Sequence, residues 1–122
     1  MWLTVAYIAL LTTLSLVQLS VPSPEVPGIG FDKIVHFCFY AGLNTLLIAT
    51  IIAHKGAIKT KQIIATTLVA IAYGVAIEFI QQQVGRDFDL YDIAANSIGA
   101  ISTAIIISQP QINSRLNRYI RE

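Results

Sequence analysis

The chain has 122 residues, 55% of them apolar and only 12% charged, with a formal net charge of +1. Soluble domains carry about 25% charged residues, so this composition excludes an ordinary soluble domain, and no nucleic-acid partner is expected. The single cysteine, Cys38, permits neither an intrachain disulfide nor a cysteine-based zinc site, and inside its apolar run it is expected to be a small buried hydrophobe.

The first apolar stretch runs from Trp2 to about Ser20. Crossing ~30 Å of hydrocarbon takes about 20 helical residues, which this stretch supplies. It has no Lys or Arg at its start and no A-x-A-like site after its apolar core, so it is expected to be an uncleaved span and not a signal peptide. Val21–Gly28 holds three prolines and a glycine and cannot be helical. The second stretch runs from Ile34 to about Ala53, and a short basic turn, His54–Lys61, follows it. The third runs from Ile63 to about Gln82, and Gly85–Asp92 is a short acidic turn. The fourth, Ile93 to about Ser108, is long enough only if its helix begins near Tyr91, as expected. Pro110 ends it, and Asn113–Glu122 reads as a short basic amphipathic tail suited to an anionic inner leaflet. The expected fold is a single all-α domain over residues 1–122, an integral membrane bundle of four transmembrane helices.

Lysine and arginine set the orientation. With four spans, Lys55, Lys59 and Lys61 share one side with Arg115, Arg118 and Arg121, against Lys33 and Arg86 on the other. By the positive-inside rule both ends are cytoplasmic. Acidic residues run the other way: Glu25, Asp32, Glu78, Asp87, Asp89 and Asp92 lie in or near the outer half, and only Glu122 lies inside. Phe31, Phe88 and Tyr91 form an outer aromatic belt, with Trp2 and Tyr119 as inner counterparts.

Helical spacing gathers the polar residues into stripes. Asp32, His36, Tyr40 and Asn44 recur every four residues on the second segment. Gly74, Glu78, Gln81 and Gln82 share a face of the third, and Asp92, Asn96, Gly99 and Thr103 a face of the fourth. A polar group facing lipid without a partner is costly, so the stripes are expected to face one another. Ala70, Gly74, Ala95, Gly99 and Ser102 would let the third and fourth segments approach. The product is a polar pocket, open outward and closed below by apolar side chains.

Each of these residues also has a packing role to weigh. Glu78 suits a salt bridge with Arg86 or Lys33, and Asp92 and Asn96 suit an N-cap and an interhelical hydrogen bond. The Tyr40 hydroxyl suits a bond to Asn44 or His36, and Asp87 and Asp89 suit solvated loop positions. Ionisable groups at membrane depth nonetheless favour a functional role.

Asp32-Lys-Ile-Val-His36-Phe-Cys-Phe-Tyr40 resembles the opening motif of the VanZ-like family, named for a protein conferring teicoplanin resistance. Glu78-Phe-Ile-Gln81, then Arg86, then Asp92-Ile-Ala-Ala-Asn96-Ser-Ile-Gly99-Ala, resembles its second motif. The resemblance covers about residues 32–104. It implies a bacterial inner (cytoplasmic) membrane protein and highlights Asp32, Lys33, His36, Glu78, Gln81, Arg86, Asp92 and Asn96. It does not imply that this chain confers resistance.

Three function classes follow. In the first, which the mixed charges favour, the pocket binds a membrane lipid head group, a lipid-linked cell-envelope precursor or a lipoglycopeptide. Lys33 and Arg86 then clamp phosphate or carboxylate, and Tyr40, Gln81 and the carboxylates complete the site. In the second, a membrane enzyme acts on a lipid-linked phosphate or glycan, with His36 as base, Glu78 or Asp92 as its acid partner and Arg86 stabilising an anion. In the third, the stripes serve only helix packing in an accessory protein. No cofactor is expected, and the chain spacing of Asp32, His36, Glu78 and Asp92 matches no dedicated metal motif.

Overall fold

The computed structural model describes residues 1–17 and 30–119. Five helices follow in order: α1 (Trp2–Leu16), α2 (Phe31–Lys55), α3 (Thr60–Gln83), α4 (Leu90–Ser108) and α5 (Pro110–Tyr119). The proline-rich turn at Val21–Gly28, with Glu25, lies outside the described residues, as do Arg121 and Glu122.

α2, α3 and α4 are each long and apolar enough to cross a membrane. α1 is apolar but has 15 residues, and Val17 after it is extended, at φ −74° and ψ 125°. At 1.5 Å per residue it covers about 22 Å, short of a ~30 Å hydrocarbon core.

The helix ends have local causes. α2 stops at Gly56, whose φ of 72° is left-handed and whose N–H donates to the Ile52 carbonyl at 2.7 Å; glycine takes that conformation without a Cβ clash. At the start of α3, Gln62 reaches back to accept from the Lys59 N–H at 2.9 Å. Asp89 caps α4 by accepting from the Tyr91 N–H at 2.8 Å. The cap is therefore Asp89, and Asp92 lies within the first turn. Pro110 opens α5, where its fixed φ and missing N–H are harmless, so the tail is helical from Pro110 and not only from Asn113.

α2 and α4 form the largest interface, α3 packs on both, and α1 contacts α2 and α3. One apolar cluster joins Leu11, Tyr40, Leu43, Ala70 and Ala100. A second, toward the basic turn, joins Ile48, Ile52, Ile58, Ile63 and Ile107, with Leu116 of α5 packed against it. α5 thus folds back on the bundle, and Asn117 Oδ1 accepts from the Ile58 N–H at 3.2 Å. Trp2 and Tyr119 are largely exposed, as is Tyr91, while Phe88 stacks on Phe79 with ring centroids 5.3 Å apart.

Two expectations are corrected here. Cys38 is exposed, not buried: it lies two residues, about 200° round the helix, from the inward-facing His36. Gly99 does not mediate approach to α3. A Cβ at Gly99 would collide with the Phe37 carbonyl oxygen of α2 and lie 3.2 Å from the Ala41 nitrogen, so this glycine sets the α2–α4 distance.

Gly99→Ala should therefore lower stability in detergent by about 1–3 kcal/mol, the usual cost of overpacking. Gly30→Ala, where an added Cβ meets nothing within 4 Å, should stay within about 0.5 kcal/mol. Denaturant unfolding followed by circular dichroism checks both.

Candidate functional site

The acidic turn at the start of α4 meets the start of α2, and a charged cluster forms there. Lys33 sits at its centre. Its ammonium pairs with Asp89, lies 2.6 Å from Asp92 Oδ1 and 3.7 Å from Asp32 Oδ2. Asp92 meets it as an ion pair without hydrogen-bond alignment. The ammonium beside Asp89, which lies just before α4, holds that carboxyl below the usual carboxylate range. Lys33 is thus engaged by three carboxylates from both sides of the α2–α4 seam.

His36 lies one turn further in. Its Nδ1 is 2.9 Å from Asn96 Oδ1, an acceptor that suits the tautomer protonated at Nδ1. Nε2 then points at Asp92 Oδ2, 3.4 Å away, and Asp32 Oδ1, 3.7 Å away. His36, Asp92 and Asn96 are buried, while the Asp32 side chain is half exposed, so the cluster opens at Asp32.

Glu78 comes to the same region from α3. It is 1% exposed, accepts from the Asp89 N–H at 2.8 Å through Oε1, and lies within electrostatic reach of His36 and Asp92. Among the described residues it makes no ion pair, neither with Lys33 nor with Arg86. Among the described residues its Oε2 has no hydrogen-bond partner, nor do the Tyr40 hydroxyl, Asn96 Nδ2, Asp92 Oδ1 and Asn44 Oδ1, all buried. The Tyr40 hydroxyl therefore bonds to neither Asn44 nor His36. Gly74 makes the room for these groups: a Cβ there would lie 2.9 Å from the Tyr40 ring and 3.1 Å from Asn96 Nδ2.

Below this level the stripe makes interhelical bonds, although Asn44 Oδ1 has no hydrogen-bond partner among the described residues. Asn44 Nδ2 donates to the Ala100 carbonyl at 2.8 Å and to Thr67 Oγ1 at 3.0 Å, and Thr103 donates to the Ala41 carbonyl at 3.1 Å.

Gln81 and Arg86 stand apart from the cluster. Both donate to the Ser15 carbonyl at 2.8 Å, tying the end of α3 to the end of α1. Gln82, expected on the Glu78 face, is exposed. Asp32, Lys33, His36, Tyr40, Glu78, Asp92 and Asn96, gathered by sequence spacing, come together here, while Gln81 and Arg86 bond to Ser15. It misses Asp89, read as a solvated loop residue, whose side chain caps α4 and pairs with Lys33 while its N–H holds Glu78. A carboxylate just before an apolar run is the cap signal that points to it.

Beside the cluster runs an apolar groove of about 370 Å³ between α2 and α4, lined by Ile34, Phe37, Tyr91, Ala94, Ala95 and Ile98, with Lys33 at its polar end. No protein-family model matches this chain, and neither a curated protein nor a solved structure matches it.

Proposed function

We propose that the chain is a VanZ-like protein of the bacterial cytoplasmic membrane that binds an amphiphile, with the head group at the charged cluster and an acyl chain in the α2–α4 groove. The observation that carries this reading is the continuity of the groove with the cluster at Lys33. Its volume falls in the range of small-ligand sites, and its lining matches hydrocarbon.

The chemistry of the head group follows from what is left unpaired. Lys33 is engaged by carboxylates and Arg86 by a backbone carbonyl, so neither is a free clamp for phosphate. The unpartnered Glu78 Oε2 and Tyr40 hydroxyl favour a head group rich in hydroxyl or ammonium donors. Lipid-linked envelope precursors, lipoglycopeptides and amino-lipids all fit that class. A purely structural role for the stripes is disfavoured, because, of the five buried polar atoms without a hydrogen-bond partner among the described residues, four lie at the cluster, on Tyr40, Glu78, Asp92 and Asn96.

The same reading takes α1 as a fourth crossing, with both ends in the cytoplasm and the cluster facing outward. Lys55, Lys59, Lys61, Arg115 and Arg118 then share the inner side. Reporter fusions after Gly56 should report inside and those after Gly85 outside; the reverse pattern contradicts the orientation.

Native mass spectrometry of the protein extracted from its host membrane should find a co-purifying amphiphile. Ala94→Trp should displace it while protein yield holds, since Ala94 lines the groove and is exposed. Absence of any bound amphiphile, or one retained equally by Ala94→Trp, contradicts the reading.

A further inference from the structure

We infer that Asp32, His36 and Asp92 form a binding site for a divalent transition-metal ion of the zinc type, independently of whether the groove holds a lipid. Their ligand atoms lie within 4.8 Å of one another. Three observations point to an ion there.

The first is the tautomer. Asn96 Oδ1 lies 2.9 Å from Nδ1 of His36, and a neutral ring that donates there turns its Nε2 lone pair toward two carboxylate oxygens. A lone pair aimed at carboxylates is repulsive unless a cation lies between them. A neighbour that fixes the free ring nitrogen is what metal-binding histidines ordinarily have. Asn96 is here a positioning residue.

The second is the spacing. An imidazolium donating to a carboxylate would bring N and O to about 2.7–2.9 Å, but Nε2 lies 3.4 Å from Asp92 Oδ2 and 3.7 Å from Asp32 Oδ1. Among the described residues Nε2 makes no hydrogen bond, although His36 is 8% exposed. Ligands about 2.0–2.2 Å from a tetrahedral ion stand about 3.3–3.6 Å apart. The 3.4 Å separation falls in that range and the 3.7 Å one lies just beyond it, and both are longer than a direct bond.

The third is charge and the division of oxygens. Lys33 takes Oδ1 of Asp92 and Oδ2 of Asp32, leaving Oδ2 of Asp92 and Oδ1 of Asp32 for the His36 side. Asp32, Asp89 and Asp92 around one ammonium leave two negative charges uncompensated, the charge a divalent cation carries. Three protein ligands leave a further coordination position for water or a ligand oxygen. The set is invisible as a chain motif because Asp32 and His36 are four apart on α2 while Asp92 comes from α4.

The test is calorimetric titration of the full-length, chelator-stripped protein in detergent with Zn²⁺ alone, with elemental analysis for stoichiometry. One ion per chain is expected. His36→Gln should abolish uptake, Asn96→Ala should weaken it by about 10–100-fold as loss of an outer-shell partner does, and Asp32→Asn, which changes a ligand, should weaken it at least as much. His54→Gln, at an exposed histidine elsewhere, should leave it unchanged. Asp32→Asn keeps the test decisive if the buried variants misfold, because Asp32 is half exposed and Lys33 retains Asp89 and Asp92. No stoichiometric uptake by the unaltered protein, or uptake unchanged in Asp32→Asn, overturns the proposal.

Discussion

The ion pair between Lys33 and Asp92 across the α2–α4 seam is the constraint on which the rest of the structure depends. Neither charge is cheap to keep near an apolar bilayer, and Asp92 is buried. Removing Lys33 would strand the buried Asp92 carboxylate, which in a low-dielectric setting costs far more than an exposed pair contributes, whereas removing Asp92 leaves Lys33 with Asp89 and Asp32. The pair therefore fixes how α2 and α4 meet. Gly99 then lets the backbones close up two turns further in, where any side chain would strike Phe37. Asp89 and Asp32 complete the ring around the ammonium, and Asp89 passes the connection on to Glu78 of α3 through its own N–H.

That arrangement separates two kinds of polar group. Deep in the bundle, Asn44, Thr67 and Thr103 find backbone or side-chain partners and act as interhelical glue. Nearer the open end, Tyr40, Glu78 and Asn96 keep buried atoms without partners. Buried polar atoms are ordinarily satisfied, and those without a hydrogen-bond partner among the described residues gather toward the open end, Asn44 Oδ1 being the one deeper in the stripe.

Much of this was legible in the residues. A period of four placed His36, Tyr40 and Asn44 on one face of α2, and hydropathy alone sufficed for α2, α3 and α4. Failures arose where spacing carries no information about partners. Arg86 and Gln81 read as site residues because they are polar and near Glu78, yet the nearest acceptor is the Ser15 carbonyl, which no side-chain pattern reveals. Gly99 reads as a close approach, but a small residue says that a helix comes near and not which one, and the neighbour is α2. Asp89 reads as a loop residue because it precedes the apolar run, and its cap on α4, its ion pair with Lys33 and its N–H bond to Glu78 distinguish it from the exposed Asp87. The convergence of α2 with α4 on Asp32, His36 and Asp92 needs three dimensions to appear.

The most direct measurement is a double-mutant cycle on the central pair, with Lys33→Met, Asp92→Asn and the double variant unfolded by denaturant in a single detergent. Close, desolvated charge pairs couple by about 1.5 kcal/mol or more, and a coupling of at least that size is predicted here. Additivity of the two single changes within about 0.5 kcal/mol, as for independent sites, would contradict the account.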